Sequence, residues 1–325
     1  MIGLARIKGI TLFCAMALIF ISTANAFAQT YKVAVSQIVE HPALDATRQG
    51  LLDGLKAKGF EEGKNLEFSY QTAQGNPAIA VQIAKQFVGE RPDVLVGIAT
   101  PTAQALAAST RTIPVIFTAV TDPLGAKLVK NLEHPTGNVT GLSDLSPVAQ
   151  HVDLMQELVP DLKAIGVVYN PGEANAVSQI ELLKSSAKAK NIQIVEATAL
   201  KSADVQGAAR IIASKVQVMY ALVDNTIATA IDALVGVSNQ AKIPVVGGST
   251  SFTASGAVAS LGFDYYQVGV QTADYVEAVL KGKAISEIPV SFAKGSDLFL
   301  NLEAAEKLGL TLPDAMIKRA TNLKK

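Results

Sequence analysis

The sequence predicts an α/β protein of two doubly wound lobes, each a mostly parallel sheet with helices on both faces. Runs rich in Val, Ile and Ala alternate along the chain with segments of helical periodicity, a pattern typical of parallel sheets covered by helices. The runs are nearly continuously apolar, as expected for strands buried on both faces. The β-α alternation occurs twice, with a break between Gly141 and Leu162, and this repetition indicates two lobes.

Seven runs are predicted strands, because apolar side chains fill each run and polar or turn-forming residues bound it. They cover residues 31–39, 65–73, 93–100, 113–120, 162–170, 216–224 and 243–249. The segment 257–266 is expected to be a further strand that crosses back toward the first lobe.

Four segments between these runs have helical patterns, and they cover residues 43–59, 77–92, 226–242 and 264–282. In the first, Leu44, Leu51 and Leu55 recur at helical spacing, and Gly59 is a suitable C-cap. Pro77 fits the first turn of the second helix, where a missing N–H costs little.

The N-terminal residues 1–28 are expected to be a cleaved export signal. Arg6 and Lys8 precede a short apolar run at 10–21, and the small residues that end at Ala28 fit a cleavage site. The run is shorter than the about 20 apolar residues of a transmembrane helix; an uncleaved membrane anchor is the alternative. We therefore expect a soluble periplasmic protein.

Composition excludes several function classes. Without Arg6 and Lys8, the 28 basic residues fall to 26 against 28 acidic ones, a balance that gives no electrostatic footprint for nucleic acid or an anionic membrane. The only cysteine, Cys14, lies in the predicted signal, so the mature chain is expected to lack disulfides and thiol nucleophiles. The three histidines are scattered, and no nucleotide-binding or serine-hydrolase motif occurs. We expect no metal, no cofactor and no catalytic group.

Polar residues follow the predicted strands, and ligands of open parallel sheets bind beyond the carboxyl ends of their strands. In the first half, Gln37 follows the first strand. Thr100 and Thr102 follow the third, and Thr121 and Asp122 follow the fourth. Hydroxyls and free N–H groups at a helix N-terminus suit an anion such as a carboxylate. The alternative is that Thr102 and Asp122 only cap helices.

The second half offers six such residues at the ends of its strands: Glu173, Asn175, Asp224, Asn225, Ser249 and Thr250. Asp224 follows an apolar strand directly, so its carboxylate is expected in a cleft, where it would suit an ammonium group. The alternative is that Asp224 or Asn225 caps the next helix. His41, in the loop after the first strand, is a candidate general base, but catalysis would also need a nucleophile and orienting partners.

The strings IATPTAQALA, IPVIFTAVTDPLGAKLV, GNVTGLSD, NPGEANA and GFDYYQVGVQTADYVEAVLKG occur in that order, followed by FLNLEAAEKLGLTLP. They resemble the ABC-transporter substrate-binding proteins of the group that includes tryptophan- and tyrosine-binding members. The resemblance covers nearly all of the expected mature chain. It implies a type I periplasmic-binding-protein fold, two Rossmann-like lobes joined by three crossovers. It also implies a monomer without catalysis whose partners are the permease subunits of an ABC importer.

The resemblance further implies a site in the interlobe cleft for a small polar solute, with an aromatic amino acid favoured. The first lobe would hold the carboxylate through Thr100, Thr102, Ala119 and Thr121. The second lobe would hold the ammonium through Asp224, supported by Asn225, Glu173 and Asn175, with Ser249 and Thr250 at the last strand end. The aromatic residues available as walls are Tyr169, Phe117, Phe252 and Tyr265.

By the same resemblance, the first lobe comprises residues 29–144 with about 263–283, and the second comprises 145–262 with about 284–325. Two other functions stay open at this point. One is an exported Rossmann-like enzyme, which the missing dinucleotide fingerprint and nucleophile elbow disfavour. The other is a ligand-sensing subunit of a membrane receptor, which would need the same binding residues.

Overall fold

The structure, a computed structural model, describes residues 29–324, and the predicted signal at 1–28 lies outside them. Thirteen strands are present in this range. They are β1 (Tyr31–Gln37), β2 (Leu66–Thr72), β3 (Val94–Ile98), β4 (Val115–Val120), β5 (Val139–Ser143), β6 (Ala164–Tyr169), β7 (Gln193–Thr198), β8 (Val218–Ala221), β9 (Val245–Gly247), β10 (Ala259–Gly262), β11 (Ser291–Phe292), β12 (Asp297–Asn301) and β13 (Asn322–Lys324).

Eleven α-helices connect the strands within the same range. They are α1 (Pro42–Ala57), α2 (Pro77–Glu90), α3 (Thr100–Ser109), α4 (Val148–Leu158), α5 (Ala174–Lys188), α6 (Val205–Ala213), α7 (Asn225–Thr229), α8 (Ile231–Gln240), α9 (Tyr265–Leu280), α10 (Leu302–Lys307) and α11 (Asp314–Arg319). None of them is both long and apolar enough to cross a membrane.

The strands form two sheets, which confirms the predicted two-lobed α/β fold. The first sheet has the order β11-β5-β4-β3-β1-β2, and all of its pairs are parallel. The second has the order β13-β12-β10-β9-β8-β6-β7, and only its β10–β12 pair is antiparallel. Each sheet has its own buried apolar core. The chain passes between the lobes three times, after β5, after β10 and after β11.

The segment 284–292 differs from its predicted assignment to the second lobe. Its strand β11 pairs with β5 at the edge of the first sheet. The backbone N–H of Val290 donates to the carbonyl of Leu132 at 2.7 Å, and the hydroxyl of Thr140 donates to the carbonyl of Ile288 at 2.7 Å. A two-residue strand with exposed side chains carries no apolar run, so the pattern gave no reason to extend the first lobe past 283.

Helices α1 and α9 pack unusually closely, and their contact positions one side of the site. A methyl group added at Gly50 would overlap the carbonyl oxygen of Tyr266, and one added at Gly269 would overlap that of Thr47. Gly54 likewise lies against Ala273, so the two helices run in the same direction. Their N-terminal ends, where α1 and α9 begin, therefore lie side by side at the boundary between the lobes.

Candidate functional site

A cavity lies between the two lobes, at the carboxyl ends of strands from both sheets. Fourteen residues line it: His41, Ala43, Leu44, Ala119, Thr121, Asp144, Asn175, Val223, Asp224, Asn225, Ala228, Ser249, Phe252 and Tyr265. Only about 20 Å³ of it is open to the centre of a water-sized sphere, so the lining residues lie close together. Residues of both lobes and of the crossovers between them line the cavity, so its shape depends on the relative position of the two lobes.

The first sheet reaches the cavity through an irregular strand end. The register of β4 against β5 shifts between Phe117 and Val120, and Ala119, within this shift, has a left-handed φ of 52°. Ala99, after the neighbouring β3, has a φ of 79° and a ψ of 156°, a region that is nearly restricted to glycine. Strained backbone at two adjacent strand ends is characteristic of functional sites. Here the left-handed conformation of Ala119 places this residue in the wall of the cavity.

Asp144 lies immediately after β5 and is buried in the cavity wall. The hydroxyl of Tyr265 donates to its Oδ2 at 2.8 Å, and the hydroxyl of Thr121 donates to its Oδ1 at 3.3 Å. Burial raises the pKa of the Asp144 carboxyl, and the two hydroxyl donors offset this in part. Burial and the nearby Asp144 carboxylate likewise raise the pKa of Tyr265. Both donors are neutral, so this carboxylate has no cationic partner among the described residues.

Asp224 is the second buried carboxylate of the cavity, and it caps helix α7. Its Oδ1 accepts the backbone N–H of Ile227 at 2.9 Å, and its Oδ2 accepts that of Asn170 at 2.7 Å. Burial raises the pKa of Asp224, and the nearby Glu173 carboxylate raises it further. The capping role that the sequence left open is therefore present in the structure, at a residue that also lines the cavity.

Glu173 holds the second-lobe residues of the cavity in place through hydrogen bonds. Its Oε2 accepts hydrogen bonds from the backbone and side chain of Asn225, at 3.1 and 2.6 Å, and from the side chain of Asn175 at 3.2 Å. Its Oε1 accepts from the backbone and hydroxyl of Thr226 at 3.1 and 2.9 Å. Five donors satisfy this carboxylate, so Glu173 holds the two asparagines in place rather than facing the cavity.

His41 brings the first lobe against the second. It precedes α1, and its Nε2 lies 3.5 Å from Oδ1 of Asn225. Burial lowers the pKa of His41, which favours the neutral ring. The cavity lining contains two carboxylates and neither lysine nor arginine, so the protein side of the site is acidic.

Of the twelve predicted site residues, six line the cavity: Ala119, Thr121, Asn175, Asp224, Asn225 and Ser249. The other six do not: Gln37, Thr100, Thr102, Asp122, Glu173 and Thr250. Glu173 has the partners given above, and Gln37 and Thr102 also have internal partners that account for their positions. Gln37 donates to the Val39 carbonyl at 2.9 Å and to Asp45 at 2.8 Å. Thr102 donates to the carbonyl of Ile98 at 2.7 Å, as a residue within its own helix does.

The remaining predicted residues are close to the cleft but face elsewhere. The Thr250 hydroxyl donates to the carbonyl of Phe263 at 3.0 Å, at the second crossover. Asp122 accepts the hydroxyl of Ser178 at 2.9 Å, which joins the two lobes outside the cavity. Thr100 is buried at the start of α3, and its hydroxyl has no partner among the described residues.

The sequence did not predict Asp144 as a site residue. It ends the string GNVTGLSD, whose strand β5 was not recognised, so a carboxylate at that strand end went unnoticed. His41 was considered only as a base. Of the four aromatic side chains expected as walls, Phe252 and Tyr265 line the cavity. Phe117 is buried in the first core, and Tyr169 packs against the second. No group of residues able to hold a metal ion occurs between residues 29 and 324.

Comparison with known proteins gives a consistent result. A family model described as ABC transporter substrate binding protein matches residues 32–324. A tyrosine-binding protein of Clostridioides difficile is 36% identical over 278 residues, which make up 86% of this chain and 81% of that protein.

Two solved structures share the arrangement of both lobes. A conserved domain protein of Vibrio cholerae is 70% identical with a TM-score of 0.90, and the match covers 91% of this chain and 100% of that one. An ABC domain in complex with L-Trp from Streptococcus pneumoniae is 34% identical with a TM-score of 0.88, and the match again covers 91% of this chain and 100% of that one. With the family model matched from β1 to β13, the chain belongs to the family of ABC transporter substrate-binding proteins.

Proposed function

We propose that the protein is the extracytoplasmic receptor of an ABC importer and that it binds an aromatic amino acid in the interlobe cavity. One observation carries this proposal: the cavity joins an apolar wall, which includes Phe252 and Tyr265, to two buried carboxylates. Ligand pockets combine a mostly apolar lining with a few placed polar groups, and this cavity has both. The C. difficile and S. pneumoniae relatives, described as tyrosine-binding and as bound to L-Trp, support the ligand class.

The proposed site distributes the ligand over both lobes. From the first lobe, Ala119 and Thr121 are the predicted carboxylate-binding residues that reach the cavity. From the second, Asn175, Asn225 and Ser249 contribute polar groups. The two carboxylates of the cavity, Asp144 and Asp224, are the candidates for the ammonium group. The predicted residues outside the cavity act as supports.

A ligand that touches both lobes favours the closed arrangement, because binding shifts a hinge equilibrium only by its differential affinity for the two states. The permease subunits would then recognise the surface that closure creates. Export, cleavage near Ala28 and a monomeric state are parts of the same proposal.

The test is a thermal-shift screen of the purified mature protein, unfolded and refolded to remove co-purified solute. A ligand at about 100 times its Kd stabilises the folded state by about 2.7 kcal/mol, which raises Tm by several degrees. We expect shifts with L-tyrosine, L-tryptophan or L-phenylalanine and none with L-leucine, L-aspartate or glucose. A shift with glucose and none with any amino acid would refute the proposed ligand class.

A further inference from the structure

We propose that Asp144, and not Asp224, is the carboxylate that pairs with the ammonium group of the ligand. The inference rests on the proposed function and identifies the residue that selects for an amine at that site. It departs from the expectation drawn from sequence, which assigned the ammonium to the second lobe.

The two carboxylates differ in what already stabilises their charge. Asp224 accepts backbone N–H groups on both oxygens, from Asn170 after β6 at 2.7 Å and from Ile227 of α7 at 2.9 Å, and both bonds exist whether or not a ligand is bound. Asp144 accepts only two hydroxyls, at 2.8 and 3.3 Å. A buried carboxylate is costly unless it is paired, so Asp144 gains more from a cationic partner than Asp224 does.

A second observation points to a donor-rich ligand in the same cavity. Asn175 is 4% exposed, and its Oδ1 has no hydrogen-bond partner among the described residues. Its orientation is fixed, because Nδ2 donates to Glu173 at 3.2 Å and to the carbonyl of Val223 at 3.1 Å. An amide oxygen held in this way can only accept a hydrogen bond. Asn175 lies on the second lobe, so an ammonium with three N–H donors can serve it and Asp144 together.

The location of Asp144 also couples amine binding to closure. Asp144 begins the first crossover and Tyr265 follows the second, and their 2.8 Å hydrogen bond joins the two segments. A cation at Asp144 would therefore contact the hinge itself, whereas one at Asp224 would contact only the second lobe.

The experiment measures Kd by calorimetry for D144N, with D224N as the matched control. The probes are L-tyrosine, tyramine, which lacks the carboxylate, and 3-(4-hydroxyphenyl)propionate, which lacks the amine; the tryptophan, tryptamine and indole-3-propionate series is run in parallel. In wild type we expect the amino acid to bind more tightly than the propionate. D144N is expected to weaken amino acid and amine by about 10- to 100-fold and the propionate little, so the preference for the amine disappears.

D224N is expected to lower Tm, because the amide nitrogen that replaces Oδ2 cannot accept the Asn170 N–H, but to keep the preference for the amine. If D144N folds poorly, D144E tests the same idea, because it keeps the carboxylate but moves it. It should weaken the amine-bearing probes by a larger factor than the propionate.

The outcomes separate the inference from the proposed function. If D144N keeps the preference and D224N loses it, the inference is wrong and the proposed function stands. If tyrosine and tryptophan fail to bind wild type but an amine binds in an Asp144-dependent way, the ligand class is wrong and the inference stands. If no amine-bearing probe binds wild type, both are wrong.

Discussion

At the scale of single residues, the second lobe contains a buried histidine whose ionisation opposes folding. The His151 ring is buried. Its Nδ1 lies 2.7 Å from the hydroxyl of Tyr220, and its Nε2 lies 2.9 Å from the carbonyl of Leu261. A carbonyl only accepts, so Nε2 carries the proton and Nδ1 accepts from the tyrosine. Burial lowers the pKa of His151 from 6.5 to about 4.

The sign of the pH dependence follows from that pKa. Above pH 6.5 the His151 ring is neutral in both the folded and the unfolded state, so its ionisation does not reduce the unfolding free energy. Between pH 6.5 and 4 the unfolded chain binds a proton that the folded protein does not, and the unfolding free energy falls. This residue is expected to remove about 3 kcal/mol over that window. Urea unfolding of wild type and H151Q at both ends of the window should show a smaller loss in the variant; parallel losses would contradict the expectation.

Half of the twelve predicted site residues line the cavity, and the structure shows why the other half do not and why Asp144 was missed. Asp224 and Ser249 directly follow apolar strands, so their positions at the cleft could be inferred. Thr102 also follows one, but its hydroxyl turns back to the carbonyl of its own helix. Asp144 follows a strand whose sequence, Val139–Ser143, contains Gly, Thr and Ser and is not a continuous apolar run. Hydrophobic periodicity does not predict the direction in which a polar side chain points, and it does not detect strands with few apolar residues.

At the scale of elements, the continuously apolar strands were predicted, whereas exposed or weakly patterned strands other than β2 were not. All five residues of β3 are buried, which makes the segment a continuous apolar run. Strand β7 lies at the edge of the second sheet, and its residues are exposed or half-buried. The predicted helix over 226–242 is two helices that meet at Ala230, the C-cap of α7 and the N-cap of α8. Apolar spacing alone does not reveal such a break.

The α1–α9 contact makes a second prediction. Gly50→Ala places a methyl group against the carbonyl oxygen of Tyr266, so the helices must separate. A cost of about 1–3 kcal/mol in unfolding free energy is expected, as for other overpacked sites. Gly89→Ala, at the exposed end of α2 where an added methyl meets nothing within 4 Å, is the control and should be neutral or stabilise by up to about 1 kcal/mol. Equal unfolding free energies for the two variants would show that the contact is not tight.

At the scale of the whole molecule, the lobes also meet outside the ligand cavity. The Ser178 hydroxyl on α5 donates at 2.9 Å to Asp122 of the first lobe, which also accepts the N–H of Gly125 at 2.8 Å. This bond exists only when the lobes are close together. It therefore contributes to the closed state without touching the ligand.

Ser178→Ala is expected to weaken binding of the ligand found in the thermal-shift screen by about 3- to 10-fold, because a charge-assisted bond of about 1 kcal/mol is lost from the closed state alone. Calorimetry measures the affinity, and small-angle scattering of the ligand-free protein should show a larger radius of gyration. Ser185→Ala, on an exposed position of the same helix, is the control. An unchanged affinity for S178A would mean that the bond does not bias closure.

The three passages of the chain between the lobes also set the order in which the protein can be completed during synthesis. The first sheet lacks its edge strand, and its core lacks α9, until residues 265–292 have been made. The second sheet waits still longer, for β12 and β13 at 297–324. The first lobe cannot finish folding until most of the second has been translated, and the second lobe is completed last. A nascent chain of this topology therefore stays incompletely folded until its last segment has been made. An incompletely folded chain is the form that an export channel can transport.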